Sequence, residues 1–182
     1  MAATIWQQEG VPAAYPDPPS GLSTAAAALD ADMLWQRIEA WIAWRYSERT
    51  IQWVVEGCGD WRPLLAPATI ATVERWTGTG WEITTELLAS PLGGYQLPGE
   101  GPYRFTGTVG VNGAEVPAAV LEAFRRLAEY SVPDTDHIRG ARSQSHTIPD
   151  VFTETLERSP AWIAMAMQNS GAADLLRNFR RV

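Results

Sequence analysis

The stretch YRFTGTVGVNGAEVPAAVLEAFRRLAEY, Tyr103 to Tyr130, changes periodicity halfway along and so demands two unlike elements on either side of one turn. From Tyr103 to Val111, Tyr103, Phe105, Thr108 and Val109 supply the aromatic and β-branched residues that suit a pleated, half-buried surface, and the segment reads as a strand. Asn112-Gly113 adopts positive φ at little cost and ends it. Pro117 suits the first turn of a helix, where its missing N–H leaves nothing unsatisfied. Beyond it Val120, Leu121, Phe124, Leu127 and Ala128 recur at helical spacing, with Glu122, Arg125, Arg126 and Glu129 opposite them. Glu122 and Arg126 stand four apart, as a helical ion pair requires. The spacing predicts an amphipathic helix whose core side is Val120, Leu121, Phe124 and Leu127.

A strand joined this closely to a helix needs neighbours of both kinds. Upstream, Ser23 or Thr24 caps a short helix in TAAAAL, and Asp30 or Asp32 opens a longer one, MLWQRIEAWIAWRYSE, with Leu34, Ile38, Trp41 and Ile42 on one stripe. After Glu48 the alternation shortens to period two. RTIQWVVEG, TIATVERW and WEITTEL read as strands divided by turns, and TGTG between Trp76 and Trp81 reads as a hairpin tip. The expected class is α+β. A small helical bundle, residues 22–48 and 114–132, carries an inserted antiparallel β subdomain at 49–113, a sheet or partial barrel. Residues 1–21, with Pro12, Pro16, Pro18 and Pro19 and no periodicity, read as an extended N-terminal arm with little reason to fold alone. Residues 133–148 are polar and aperiodic, a long loop. Pro149 and Pro160 each open a helix in an extended C-terminal segment, 149–182. Its end places Leu175, Leu176 and Phe179 on an apolar side and Arg177, Arg180 and Arg181 on a basic side.

At 182 residues the chain has material for one core and one small subdomain. With 46% hydrophobic and 19% charged residues it belongs with folded rather than disordered chains. No apolar run approaches the roughly 18 residues of a membrane span. The opening MAATIWQQEG has neither the basic nor the apolar region of a signal peptide, and the lone Cys58 allows no internal disulfide, so residence in the producing cell's cytoplasm is expected. A net charge of -7 argues against wrapping nucleic acid. All 14 basic residues are arginine, which suits bidentate pairing with carboxylates but is also what a genome rich in G and C produces. Among the nine tryptophans, Trp35, Trp41 and Trp44 fall in the helical pattern and Trp53 in a strand, as core residues do. Trp61, Trp76 and Trp81 lie close to turns and are candidate exposed aromatic contacts.

Reactive chemistry is sparse. There is no nucleophile elbow, phosphate-binding loop, zincin helix or dinucleotide fingerprint. Cys58 sits in GCGD, a turn, while His137 and His146 lie in the polar loop, so no thiol and imidazole pair is expected to act. The same histidines with Asp134 and Asp136 match no metal-ligand spacing. Glu82 with Glu86, and Glu154 with Glu157, read as exposed charges. No catalytic residue, metal or cofactor is expected.

The opening unit, YRFTGTVG followed by VPAAVLEAFRRLAEY, resembles the head-tail adaptor (connector) family of long-tailed phages and gene transfer agents. IEAWIAWRYSERTIQWVVEG looks like that family's helix leading into a first strand, PLLAPATIATVERWTGTGWEI like its proline-rich loop and hairpin, and SGAADLLRNFRRV like its leucine-pair and arginine ending. The likeness covers roughly residues 30 to 130 and 170 to 182, and it resides in the order of the pieces. The segment Thr135 to Met167 is longer than that pattern, and LSTAAAALDAD is a poor match to its first helix. The resemblance implies a virion protein of the neck, assembled in the host cytoplasm, that forms a homo-oligomeric ring of about twelve copies beneath the portal. Its partners would be the portal protein and a stopper or tail-terminator protein, and DNA would pass through its lumen without sequence-specific binding. Leu175, Leu176, Arg177, Phe179, Arg180 and Arg181 would dock the portal, apolar face in a groove and arginines on carboxylates. Rival readings are a stopper or tail-completion protein, and a carbohydrate- or receptor-binding module built on Trp61, Trp76 and Trp81.

Overall fold

A computed structural model describes residues 1–85, 87–91, 93–99, 101–132, 141–143, 157–158 and 164–181. Among these the fold is mixed α/β, with five helices and open antiparallel sheets of five and three strands. The chain forms two compact units. One comprises Met1–Pro16, Ala43–Glu115 and Arg181, the other Asp17–Ile42 and Val116–Arg180.

The first unit holds β1 (Ala3–Glu9), β2 (Arg49–Glu56), β3 (Gly59–Trp61), β4 (Ala68–Trp76), β5 (Trp81–Ile83), β6 (Leu88–Ala89), β7 (Tyr95–Leu97) and β8 (Tyr103–Val109). The larger sheet runs β1-β2-β8-β4-β5 and the smaller β3-β7-β6. Period-two alternation sends Ile51, Trp53 and Val55 of β2, and Tyr103, Phe105 and Val109 of β8, to one face of the larger sheet, where they are buried. The smaller sheet covers that face. Trp61 of β3 stacks on Phe105 with centroids 4.2 Å apart and meets Trp53 edge-on at 5.7 Å, while Tyr95 of β7 lies 5.3 Å from Phe105. Trp61 is therefore 4% exposed, which corrects its expected role as a surface contact. Proximity to a turn misled because the turn folds β3 back over the sheet.

The N-terminal arm is also corrected. Residues 3–9 form an edge strand paired with β2 from Ala3↔Glu56 to Glu9↔Ile51. Two buried indoles need acceptors, and β1 supplies both: Trp53 Nε1 donates to Gln7 Oε1 at 2.8 Å and Trp61 Nε1 to Thr4 Oγ1 at 2.9 Å. At the end of β1, Glu9 accepts a fork from Arg45, Nε at 2.5 Å and Nη2 at 2.9 Å, and a third bond from Arg49 at 3.3 Å. Arg49 in turn lies over the Tyr15 ring at 5.2 Å, so the proline-rich stretch beyond β1 is also held.

Gly107 in β8 allows β4 to approach. A Cβ there would sit 2.0 Å from the Thr69 carbonyl oxygen and 2.9 Å from Ile70 Cα, beside the bulge between Ile70 and Thr72.

The second unit holds, besides one short strand pair, α1 (Thr24–Ala27), α2 (Ala31–Ile42), α3 (Ala118–Ser131), α4 (Ala166–Asn169) and α5 (Ala172–Leu175), with a 3-10 turn at Arg177–Phe179. The Ser23 hydroxyl caps α1 through the Ala26 N–H, and Asp30 Oδ1 accepts from the Asp32 and Met33 N–H groups at the start of α2. α3 contacts all four other helices. Its buried residues are Val120, Ala123, Phe124, Leu127 and Ala128, so Ala123 takes the core place expected of Leu121, which is half-buried. The Trp35 and Phe124 rings meet at 5.0 Å. α2 stops earlier than the pattern to Glu48 predicts: Ala43 has φ 55°, which no helix continues through, and Trp44, expected in the core, is 37% exposed. Part of the expected loop at 133–148 pairs as β9 (Ala141–Ser143) with β10 (Glu157–Arg158), which also ends the expected helix after Pro149 as a strand. The remainder of both lies outside the described residues.

Because β1 carries both indole acceptors and the Glu9 carboxylate, deletion of residues 1–9 is expected to shift urea unfolding to markedly lower concentration or abolish the cooperative transition. A free arm would leave the midpoint unchanged. Gly107→Val is expected to cost at least about 2 kcal/mol in the same measurement, since the strand pair must separate to admit the side chain.

Candidate interaction surface

The face of the five-stranded sheet opposite the tryptophan core carries half-buried and exposed side chains. Direct cross-strand pairs place Trp6 (β1), Val54 (β2), Arg104 (β8), Glu74 (β4) and Ile83 (β5) in one row across it. The next row holds Gln8, Gln52, Thr106 and Thr72, with Gln52 Nε2 donating to Thr106 Oγ1 at 3.2 Å. Trp6 is 44% exposed, Trp76 39% and Ile83 73%. The apolar residues thus gather toward the two edges of the sheet, and its middle is polar.

The β4–β5 hairpin is held by the predicted tip, where Thr77 N–H donates to the Gly80 carbonyl at 3.0 Å and Trp76 pairs with Trp81. The two indoles meet at 5.4 Å and 62°, edge to face. Arg104 spreads over Trp81 at 4.6 Å and forks onto Glu74 through Nε at 2.6 Å and Nη2 at 2.7 Å. The result is an aromatic corner, with one face of Trp81 taken by a guanidinium. Burial of Trp61 removes the third member of the aromatic platform expected with Trp76 and Trp81.

The C-terminal candidates divide. Leu176 is fully buried, as is Ala172, and α5 packs on α3, so Leu176 anchors the second unit and is not available to a partner. Leu175 and Phe179 are half-buried, while Arg177, Arg180 and Arg181 are exposed. Arg177 pairs with Asp174 at 2.9 Å with both side chains largely in water, and Arg180 lies over Trp41 at 5.0 Å. The apolar side expected to fill a foreign groove is turned mostly inward because its own unit buries it first.

Among the described residues no group of three His, Cys, Asp or Glu could hold a metal ion. Cys58 is partly buried. Glu82 is exposed, and Asp134, Asp136, His137, His146, Glu86 and Glu154 lie outside the described residues, as does the Glu157 side chain. Trp6, Glu74, Arg104 and Ile83 were not legible as a set. A register shift between Thr4 and Trp6 breaks the alternation of β1, and the other three meet only when β8 is inserted between β2 and β4.

No family model, curated protein or solved structure matches the chain.

Hydrogen bonds from Arg104 hold the Glu74 carboxyl below the ordinary value of 4.5. In the folded protein it stays ionised to lower pH than in the unfolded chain. Its stabilisation is present above that ordinary value and is lost as pH falls through the lower folded one. The difference in unfolding midpoint between wild type and Glu74→Gln is therefore expected to be largest near neutral pH and to close on acidification. A difference that stayed constant would show that the pair contributes through packing alone.

Proposed function

We propose that this chain is a structural virion protein, a head-tail adaptor that forms a homo-oligomeric ring beneath the portal, extends the DNA channel and joins the capsid to the stopper or tail. In this reading the second unit is a small helical bundle that forms the ring body, and its extended C-terminal segment meets the portal. The observation that carries the reading is the C-terminal end. Leu176 is sunk in its own unit while Arg177, Arg180 and Arg181 stand exposed beside one another in sequence, an arrangement suited to an acidic partner. Docking is thereby assigned to the three arginines with Leu175 and Phe179 at their margin. The order of helix, strand, hairpin, and strand-turn-helix supports the same family.

A net charge of -7 suits a channel wall that DNA must cross without adhering. No described helix is long and apolar enough to cross a membrane. The reading assigns the protein to the virion neck, assembled in the host cytoplasm, with no enzymatic activity and no cofactor. A stopper or tail-completion role is the alternative within the same class. A carbohydrate- or receptor-binding module would now rest on Trp76 and Trp81 alone.

Native mass spectrometry of the protein mixed with the portal ring of the same particle tests this. A saturable complex at ring stoichiometry is expected, and Arg177→Glu, Arg180→Glu and Arg181→Glu together should weaken it at least tenfold, about 1.4 kcal/mol. Undiminished binding by that folded variant would refute docking through this end, and failure of the wild type to bind would refute the adaptor reading.

A further inference from the structure

We infer that copies of this protein join through the two free edges of the five-stranded sheet, β5 of one copy lying beside β1 of the next. Among the described residues β1 and β5 are terminal in the strand order, and each pairs on one side only. An unpaired edge presents a row of backbone donors and acceptors that another strand satisfies. Four successive antiparallel pairings separate β1 from β5, so the two edges run in the same direction. Repeating the sheet from copy to copy therefore brings β5 and β1 together in parallel, without inverting either molecule.

The side chains favour this occupant over a partner lying across the face. A covering partner needs apolar residues in the middle of the sheet, but here the middle is the Arg104–Glu74 ion pair. The exposed apolar residues stand at the two ends of the same row, Trp6 on β1 and Ile83 on β5. Continuing the row across copies sets Ile83 beside Trp6, an aromatic and β-branched pair of the kind that stabilises neighbouring strands. No charge opposes the contact on that face: Trp81 and Ile83 on one edge, Trp6 and Gln8 on the other, are neutral. β5 offers only three residues, so the contact is short and lies around Ile83 and Trp6. Two unlike edges make the contact heterologous, which yields a ring if the rotation closes and a filament if it does not.

The inference rests on the self-assembly part of the adaptor reading and is independent of the portal. Its test uses Trp6→Asp and Ile83→Asp, both at exposed positions, with circular dichroism to establish folding and native mass spectrometry for assembly. Wild type should form oligomers, and each variant alone should be monomeric. An equimolar mixture of the two should give a heterodimer and nothing larger, because one intact β1 edge and one intact β5 edge remain between them. Several outcomes overturn the inference: a wild type that is monomeric to its solubility limit, variants that assemble as wild type does, or a mixture of folded variants that stays monomeric. Loss of assembly in Trp6→Asp with retention in Ile83→Asp would also overturn it, in favour of a symmetric β1 contact. Wild type and both variants forming equal rings on the portal would sink edge pairing and leave the adaptor reading standing. Edge-dependent assembly with no portal binding would do the reverse.

Discussion

Two indole N–H groups buried under one sheet decide where the N-terminus of this chain goes. Trp53 and Trp61 are two of the four buried aromatic residues in the first unit's core cluster, and each carries a donor that cannot be left dry without a penalty of about 1–3 kcal/mol. Gln7 and Thr4 accept from them, and both lie on β1. A strand far from them in sequence is thus recruited to complete the sheet. Once β1 is in place, Glu9 reaches Arg45 and Arg49 and fastens the segment that leads into β2. The proline-rich stretch that follows is tethered by Tyr15 beneath Arg49 instead of trailing free.

The same recruitment shapes the face opposite the tryptophan core. With β1 at one edge and β5 at the other, exposed apolar side chains come to both margins of the sheet while the ion pair between Arg104 and Glu74 fills the centre. Among the described residues no group of three His, Cys, Asp or Glu could hold a metal ion, so what this face presents is the ion pair and the side chains at its margins. The two regions proposed for contact differ in chemistry. The sheet offers backbone edges and aromatic corners, and the C-terminal end offers arginines.

Much of the local structure was legible. The alternation in RTIQWVVEG and the Tyr103 strand, the TGTG tip, the caps at Ser23 and Asp30 and the apolar stripe after Pro117 all follow from short-range sterics and burial. The failures share a cause. β1 was missed because its bulge scrambles the alternation and its partner β2 starts some forty residues on. Trp61 and Leu176 were read as exposed because nothing nearby in sequence covers them; the covering elements arrive from β8 and α3. Trp44 was read as core because the helical pattern runs on past Ala43, where the backbone turns to positive φ.

The sequence by itself determined the strands from Arg49 and Tyr103, the hairpin tip between Trp76 and Trp81, the helices opened at Ser23, Asp30 and Pro117, and the excess of negative charge, because these depend on residue type and spacing alone. Tertiary structure decided which tryptophans are core and which are surface, which leucine of the C-terminal pair is withdrawn, and which side chains share the row from Trp6 to Ile83. Those outcomes depend on strand order, and strand order is set by which distant segments satisfy one another's buried groups.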